Sequence, residues 1–178
     1  MSIQNQQSAK VRAATIADVK ALNILVNSAY RGEVSKKGWT TEADLLEGTR
    51  IDEIALKDLI LKKGTTVLCC ETESHIQACV ELREESDKLY LGMLSVNPEM
   101  QGSGLGKILL KEAEVFAKEK GLAYIYMTVI SVRTELIAWY DRHGYQLTGE
   151  RKPFVVPDIR WGIPKQPLEF VVLRKPIL

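Results

Sequence analysis

Between Thr65 and Val96 the chain passes through three short segments, 65–71, 76–83 and 89–96, rich in apolar and β-branched residues and separated by polar turns. Runs of this length and composition read as strands, and their short connections make them antiparallel neighbours. The flanks return to helical spacing. Residues 10–14 read as a first strand, and Thr15 with Asp18 forms a capping box for a helix carrying Val19, Leu22, Val26 and Ala29 on one face. Thr41 and Asp44 signal a short helix that Gly48 would end. Asp52 opens another, with Ala55, Leu56, Leu59 and Ile60 on one face and Gly64 as its stop. After the strands, Leu105, Ile108, Leu109, Ala113 and Phe116 mark a helix over 104–120. A strand follows at 123–130, a helix at 133–143, and two closing strands at 145–150 and 168–174. Residues 30–39 and the Pro-rich stretch 152–167 read as loops. This order predicts an α/β fold: a mixed, mostly antiparallel central sheet covered by helices.

The length, 178 residues, suits one domain, expected over 9–178 behind a polar tail at 1–8. Lys and Arg number 24 against 23 Asp and Glu, so no whole-surface attraction to nucleic acid or anionic membranes is expected. No stretch approaches the ~20 apolar residues of a membrane span, and the tail lacks a signal-peptide core, so the expected location is cytoplasmic. Cys69, Cys70 and Cys79 lie in strand-like runs without CxxC spacing, and His75 and His143 are far apart. Neither set suggests a disulfide framework or a metal site.

The segment that carries chemistry is Val96-Asn97-Pro98-Glu99-Met100-Gln101-Gly102-Ser103-Gly104-Leu105-Gly106-Lys107. A strand runs into a glycine turn that opens an amphipathic helix. Glycines admit positive φ and close approach of a ligand, and the first N–H groups of a helix form an anion site suited to a pyrophosphate. A P-loop does not fit, because Ile108 follows Gly106-Lys107. A dinucleotide fingerprint would require glycine at Lys107. On the glycines alone, a plain turn before a helix remains an equal reading.

The pattern Q-x-x-G-x-G after a "SVNP" strand end resembles the coenzyme A signature of the GNAT superfamily of N-acetyltransferases. A second segment, Leu136-Ile137-Ala138-Trp139-Tyr140-Asp141-Arg142-His143-Gly144-Tyr145, resembles that superfamily's helix-to-strand motif. The element order fits from residue 10 to 174. The resemblance implies a splayed pair of parallel strands, here 89–96 and 123–130, with helices on both faces of the sheet. It also implies acetyl-CoA as co-substrate, without a metal. Leu94, Ser95 and Val96 would meet the pantetheine arm; Gln101, Gly102, Ser103, Gly104, Leu105, Gly106 and Lys107 would hold the pyrophosphate. Tyr140 occupies the position of the tyrosine that protonates the leaving thiolate. Two positions depart from the family pattern. The strand Tyr90-Leu91-Gly92-Met93-Leu94 carries no carboxylate, which leaves Glu81 or Glu71 as candidate bases, and Arg133 stands where Asn is common and becomes a candidate CoA contact.

The resemblance places acceptor recognition in residues 30–50 and 152–167. Tyr30, Arg31, Trp39, Arg50, Phe154, Arg160 and Trp161 fall there, and Tyr30, Trp39 and Arg50 are the candidate acceptor contacts. Arginine beside aromatics suits a small amine bearing a carboxylate or another anion. The expected function is transfer of an acetyl group to a primary amine of a small molecule, with room for a homodimer. The alternatives are a non-catalytic CoA-binding domain and a protein N-acetyltransferase.

Overall fold

The structure is a computed structural model, and residues 8–156 and 158–178 are described. The tail expected at 1–8 lies outside them except for Ser8. In chain order the elements are β1 (Lys10–Ala13), α1 (Val19–Tyr30), α2 (Gly32–Ser35), β2 (Leu46–Glu47), α3 (Glu53–Leu61), β3 (Thr65–Thr72), β4 (His75–Glu85), β5 (Lys88–Val96), α4 (Leu105–Glu119), β6 (Tyr124–Ile130), α5 (Thr134–Arg142), β7 (Gln146–Pro153), β8 (Ile163–Pro164) and β9 (Glu169–Pro176). Among the described residues, seven strands form one sheet in the order β1-β3-β4-β5-β6-β9-β7. Every neighbouring pair is antiparallel except β5 and β6.

Alternation along the strands feeds two cores. Cys70, Ala78, Val80 and Leu82 point to the face covered by α4 and α5, where they meet Leu105, Leu109, Leu110, Ala113 and Tyr140. Val67, Cys69, Cys79 and Met93 point to the other face and meet Leu22, Val26, Ala29 and Leu56 of α1 and α3. The period-two reading of the strands and the period-3.6 reading of the helices thus specify both layers. The caps also form as read. The Asp18 carboxylate accepts from the Thr15 N–H at 2.8 Å, and the Asp52 carboxylate accepts from the Ala55 N–H at 2.7 Å.

Two local expectations are corrected. The loop at 30–39 contains the single-turn helix α2. The short helix expected from Thr41 to Gly48 is a turn that leads into β2, paired with β8 through Leu46 opposite Pro164 and Glu47 opposite Ile163. Thr41 Oγ accepts from the Ala43 N–H at 3.1 Å and bonds Ser35 Oγ at 2.6 Å, so it caps a turn. The competing force is long-range: Leu46 is buried against a strand more than a hundred residues away.

Candidate active site

The parallel pair β5/β6 is in register only from Lys88–Tyr90 opposite Tyr124–Tyr126, although β5 runs on to Val96 and β6 to Ile130. A bulge drives the separation. On β4 only Val80 lies between Cys79 and Glu81, whereas Met93 and Leu94 lie between their partners Ser95 and Gly92. Met93 takes a φ of 52°, rare for a residue with a side chain. The strands therefore part like a V, and a cavity opens on each side of the gap. Tyr30, Leu94, Arg133, Leu136 and Tyr140 line both.

The first cavity, of about 250 Å³, runs along Val96, Gln101 and the glycine turn to Lys107. Gly102 and Gly104 have φ of 85° and 88°, and no heavy atom lies within 4 Å of a Cβ added at either. This open cradle ends on the first turn of α4, where the N–H groups of Leu105, Gly106 and Lys107 precede the first helical hydrogen bond, from Ile108 to Gly104. A Cβ on Gly106 would lie 3.3 Å from the Trp139 ring, so close helix packing accounts for that glycine. The arrangement fits a pyrophosphate at a helix N-terminus. The carbonyls of Leu94 and Val96 meet polar side chains: Tyr30 Oη donates to Leu94, and Gln101 Nε2 reaches Val96 at 3.4 Å.

Gln101 does a second job. Its side chain accepts from the Trp39 N–H at 2.8 Å and donates to Thr40 Oγ at 2.7 Å. It lies so close to Gly38 that a Cβ there would stand 2.4 Å from Gln101 Oε1. The Trp39 ring sits 6.2 Å from that of Trp139. Trp39, expected among acceptor contacts, is thus placed against the glycine-loop cavity, away from Arg50. Ser95 lines neither cavity: it is buried, and its hydroxyl donates to the Met93 carbonyl at 3.0 Å. Ser103 is exposed and bonds Met100 within its own turn.

Tyr140 is 5% exposed and borders both cavities, and among the described residues its hydroxyl has no hydrogen-bond partner. Burial raises its pKa well above that of a free phenol, so it keeps its proton at neutral pH. Opposite it, Tyr30 is pushed up to about 12 by burial. Arg133 enters from the turn before α5. It donates to Glu42 at 3.1 Å and to the Thr40 carbonyl, and lies 5.8 Å from the Tyr30 ring centroid.

The second cavity, of about 390 Å³, is the acceptor-side candidate. Arg31, Glu42, Arg50, Tyr90, Phe154 and Trp161 contribute to its wall. Arg160 is exposed and paired with Asp158. Glu42, not singled out from the sequence, is buried with one oxygen 3.3 Å from Arg31 and the other 3.1 Å from Arg133. Removing one partner of such a buried set typically costs ~3–5 kcal/mol, so Glu42 serves first as an electrostatic keystone. Its signal was invisible, because nothing in the sequence spacing joins residue 42 to residue 133.

The two candidate bases differ in setting. Glu71 sits beside β1 and accepts from Arg12 at 2.7 Å. Glu81 is 8% exposed and stands opposite Gly92 in the register, and burial raises its carboxyl pKa against the opposing pull of Arg83 at 3.4 Å. Neither lines the two cavities. The phenol of Tyr90 fills the space over Gly92, where a Cβ would stand 2.6 Å from its ring.

Residues 33–145 match the sequence profile of the acetyltransferase (GNAT) family. The chain is 26% identical over 125 residues to N-acetyltransferase 8B of Homo sapiens, covering 66% of this chain and about half, 54%, of that protein. Among solved structures it resembles yncA, a putative acetyltransferase from Salmonella typhimurium with its cofactor acetyl-CoA (TM-score 0.70, 18% identity, 96% of this chain and 94% of the other). It also resembles the paia N-acetyltransferase from Thermoplasma acidophilum in complex with coenzyme A (TM-score 0.68, 19% identity, 95% and 99%). The profile spans most of the chain and includes the glycine turn and Tyr140, so this protein belongs to the GNAT family of acetyltransferases.

Proposed function

We propose that the protein is an N-acetyltransferase that moves the acetyl group of acetyl-CoA to a primary amine of a small acceptor by direct attack in a ternary complex. One observation carries the reading: a glycine-loop cavity and an arginine-lined cavity meet at a strand gap bordered by the protonated Tyr140. The related structures bound to acetyl-CoA and coenzyme A support the choice of donor.

When bound, acetyl-CoA supplies an activated acyl carbonyl and a thiolate leaving group. The N–H groups at the start of α4 hold the pyrophosphate, with Lys107 beside them. Leu94 and Val96 offer backbone groups to the pantetheine arm, and the Val96 N–H polarises the carbonyl as charge develops on its oxygen. Tyr140 donates its proton to the departing sulfur; burial keeps the phenol protonated at neutral pH, so the proton is present to be given. For the amine's proton, Glu81 fits better than Glu71: burial raises its affinity for a proton, and a water relay past Tyr90 would connect it to the cavity. All these groups come from one chain, so the chemistry does not require a dimer. With the charge near balance, +1, and no described helix long and apolar enough to cross a membrane, we place the reaction in the cytoplasm, without a nucleic-acid or membrane partner.

The test is release of free thiol from acetyl-CoA across a panel of amines and amino acids. Turnover with at least one is expected. Tight acetyl-CoA binding without turnover on any member would instead make the protein a CoA-binding domain.

A further inference from the structure

Three arginines and one carboxylate line the acceptor cavity, and their commitments are unequal. Arg31 is engaged by Glu42 and by the carbonyl of Trp161 at 2.9 Å. Arg133 is engaged by Glu42 and Thr40. One carboxylate therefore answers two guanidinium groups, and the third, Arg50, has no carboxylate or carbonyl at its side chain among the described residues. Its guanidinium carbon lies 5.8 Å from the centroid of the Tyr30 ring.

The backbone at Arg50 is nonetheless fixed. Asn27 of α1 clamps the backbone on either side of it: its Oδ1 accepts from the Arg50 N–H at 2.8 Å, and its Nδ2 donates to the Ile51 carbonyl at 2.9 Å. Arg50 lines the acceptor cavity and not the cavity along the glycine turn, so the phosphates of a nucleotide do not explain it. The next carboxylate within its electrostatic reach, Glu81, is tied to Arg83 and stands outside the cavity wall. The wall holds three cations against one anion, leaving a cavity with two uncompensated positive charges.

We propose that the acceptor is an amino acid-sized amine that also bears a carboxylate, and that Arg50 is the residue that reads it. This rests on the acetyltransferase reading above. A guanidinium free of partners, on an anchored stretch of backbone, matches the two oxygens of a carboxylate through parallel hydrogen bonds. The same charge repels diamines and other polycationic acceptors.

The experiment compares matched acceptors: the standard α-amino acids, β-alanine and 4-aminobutyrate, each beside its amide, with 1,4-diaminobutane as the cationic control. At least one carboxylate-bearing amine should exceed its amide by ~10-fold or more in kcat/KM, and Arg50→Gln should reduce that preference by ~10-fold or more, the range of a charge-assisted hydrogen bond. Arg50→Lys should restore part of it. Calorimetric affinity for acetyl-CoA serves as the folding control. Amides or the diamine turning over as well as the carboxylates would overturn the proposal, as would Arg50→Gln lowering both members of each pair equally. If nothing turns over, the acetyltransferase reading fails separately, and binding of N-acetyl amino acids and their amides to the CoA-loaded protein decides this proposal. Carboxylate-dependent binding lost in Arg50→Gln sustains it, and equal binding of acids and amides ends it.

Discussion

The cavity beside the glycine turn draws most of its wall from residues 94–107 and 133–143, whereas the cavity on the far side of the gap collects residues scattered from Tyr30 to Phe170. The first is a local construction: a strand end, a turn and a helix start, with one further helix laid alongside. The second exists only because β2 pairs with β8 and because Arg31, Glu42 and Arg133 converge. A locally encoded site tolerates change elsewhere in the fold but depends on backbone conformation at one or two positions. An assembled site depends on long-range contacts and on which charges remain unmatched.

Substitutions should separate the two ends. The largest effect is expected from Gly104→Val. Gly104 sits at φ 88°, where a residue with a Cβ pays roughly 1–2 kcal/mol and a β-branched one more. The open space around it means the loop rearranges without a clash in the core, so acetyl-CoA affinity should collapse in a folded protein. Unchanged affinity by calorimetry would show that the turn is not the phosphate cradle. Next comes Tyr140→Phe, at the junction of both cavities. Among the described residues the hydroxyl has no partner, so melting temperature should hardly move, while kcat falls by at least ~10-fold, below the full range of general-acid help because water can partly substitute. Full activity in this variant would remove Tyr140 from the chemistry. The smallest effect is expected from Trp39→Ala. Because Trp39 leans on Trp139 beside the glycine turn, the acetyl-CoA KM should rise several-fold, ~2–5-fold for a partly exposed aromatic contact, with the acceptor KM less affected. The reverse pattern would return Trp39 to the acceptor end.

The same contrast explains what was legible beforehand. The order of most strands and helices and the glycine turn follow from patterns within a dozen residues, while the parallel pair followed from the family resemblance. Thr41, by contrast, carries a helix-cap signal as good as that of Asp52. Yet pairing of Leu46 with Pro164 turned its segment into a strand, an outcome that no local propensity encodes. Gln101 was expected to face phosphate; that its hydrogen bonds also join the 38–40 segment to the turn, with Gly38 leaving room for its amide, was not legible. Arg50 was legible as a residue type beside aromatics. Its lack of a partner was not, since that depends on where Glu42 and Glu81 spend their charge.

Unpaired strand edges at the rim of a sheet invite other chains to add to them, which is how many aggregates begin. The parting of β5 and β6 creates such edges in the middle of the sheet, walled by α4 and α5 on one face and α1 and α3 on the other. There the parted edges open onto the two cavities instead of lying at the rim of the sheet. Hydrogen-bonding groups that would be a hazard at the rim become, in the middle of the sheet, backbone partners for a ligand that carries amides of its own.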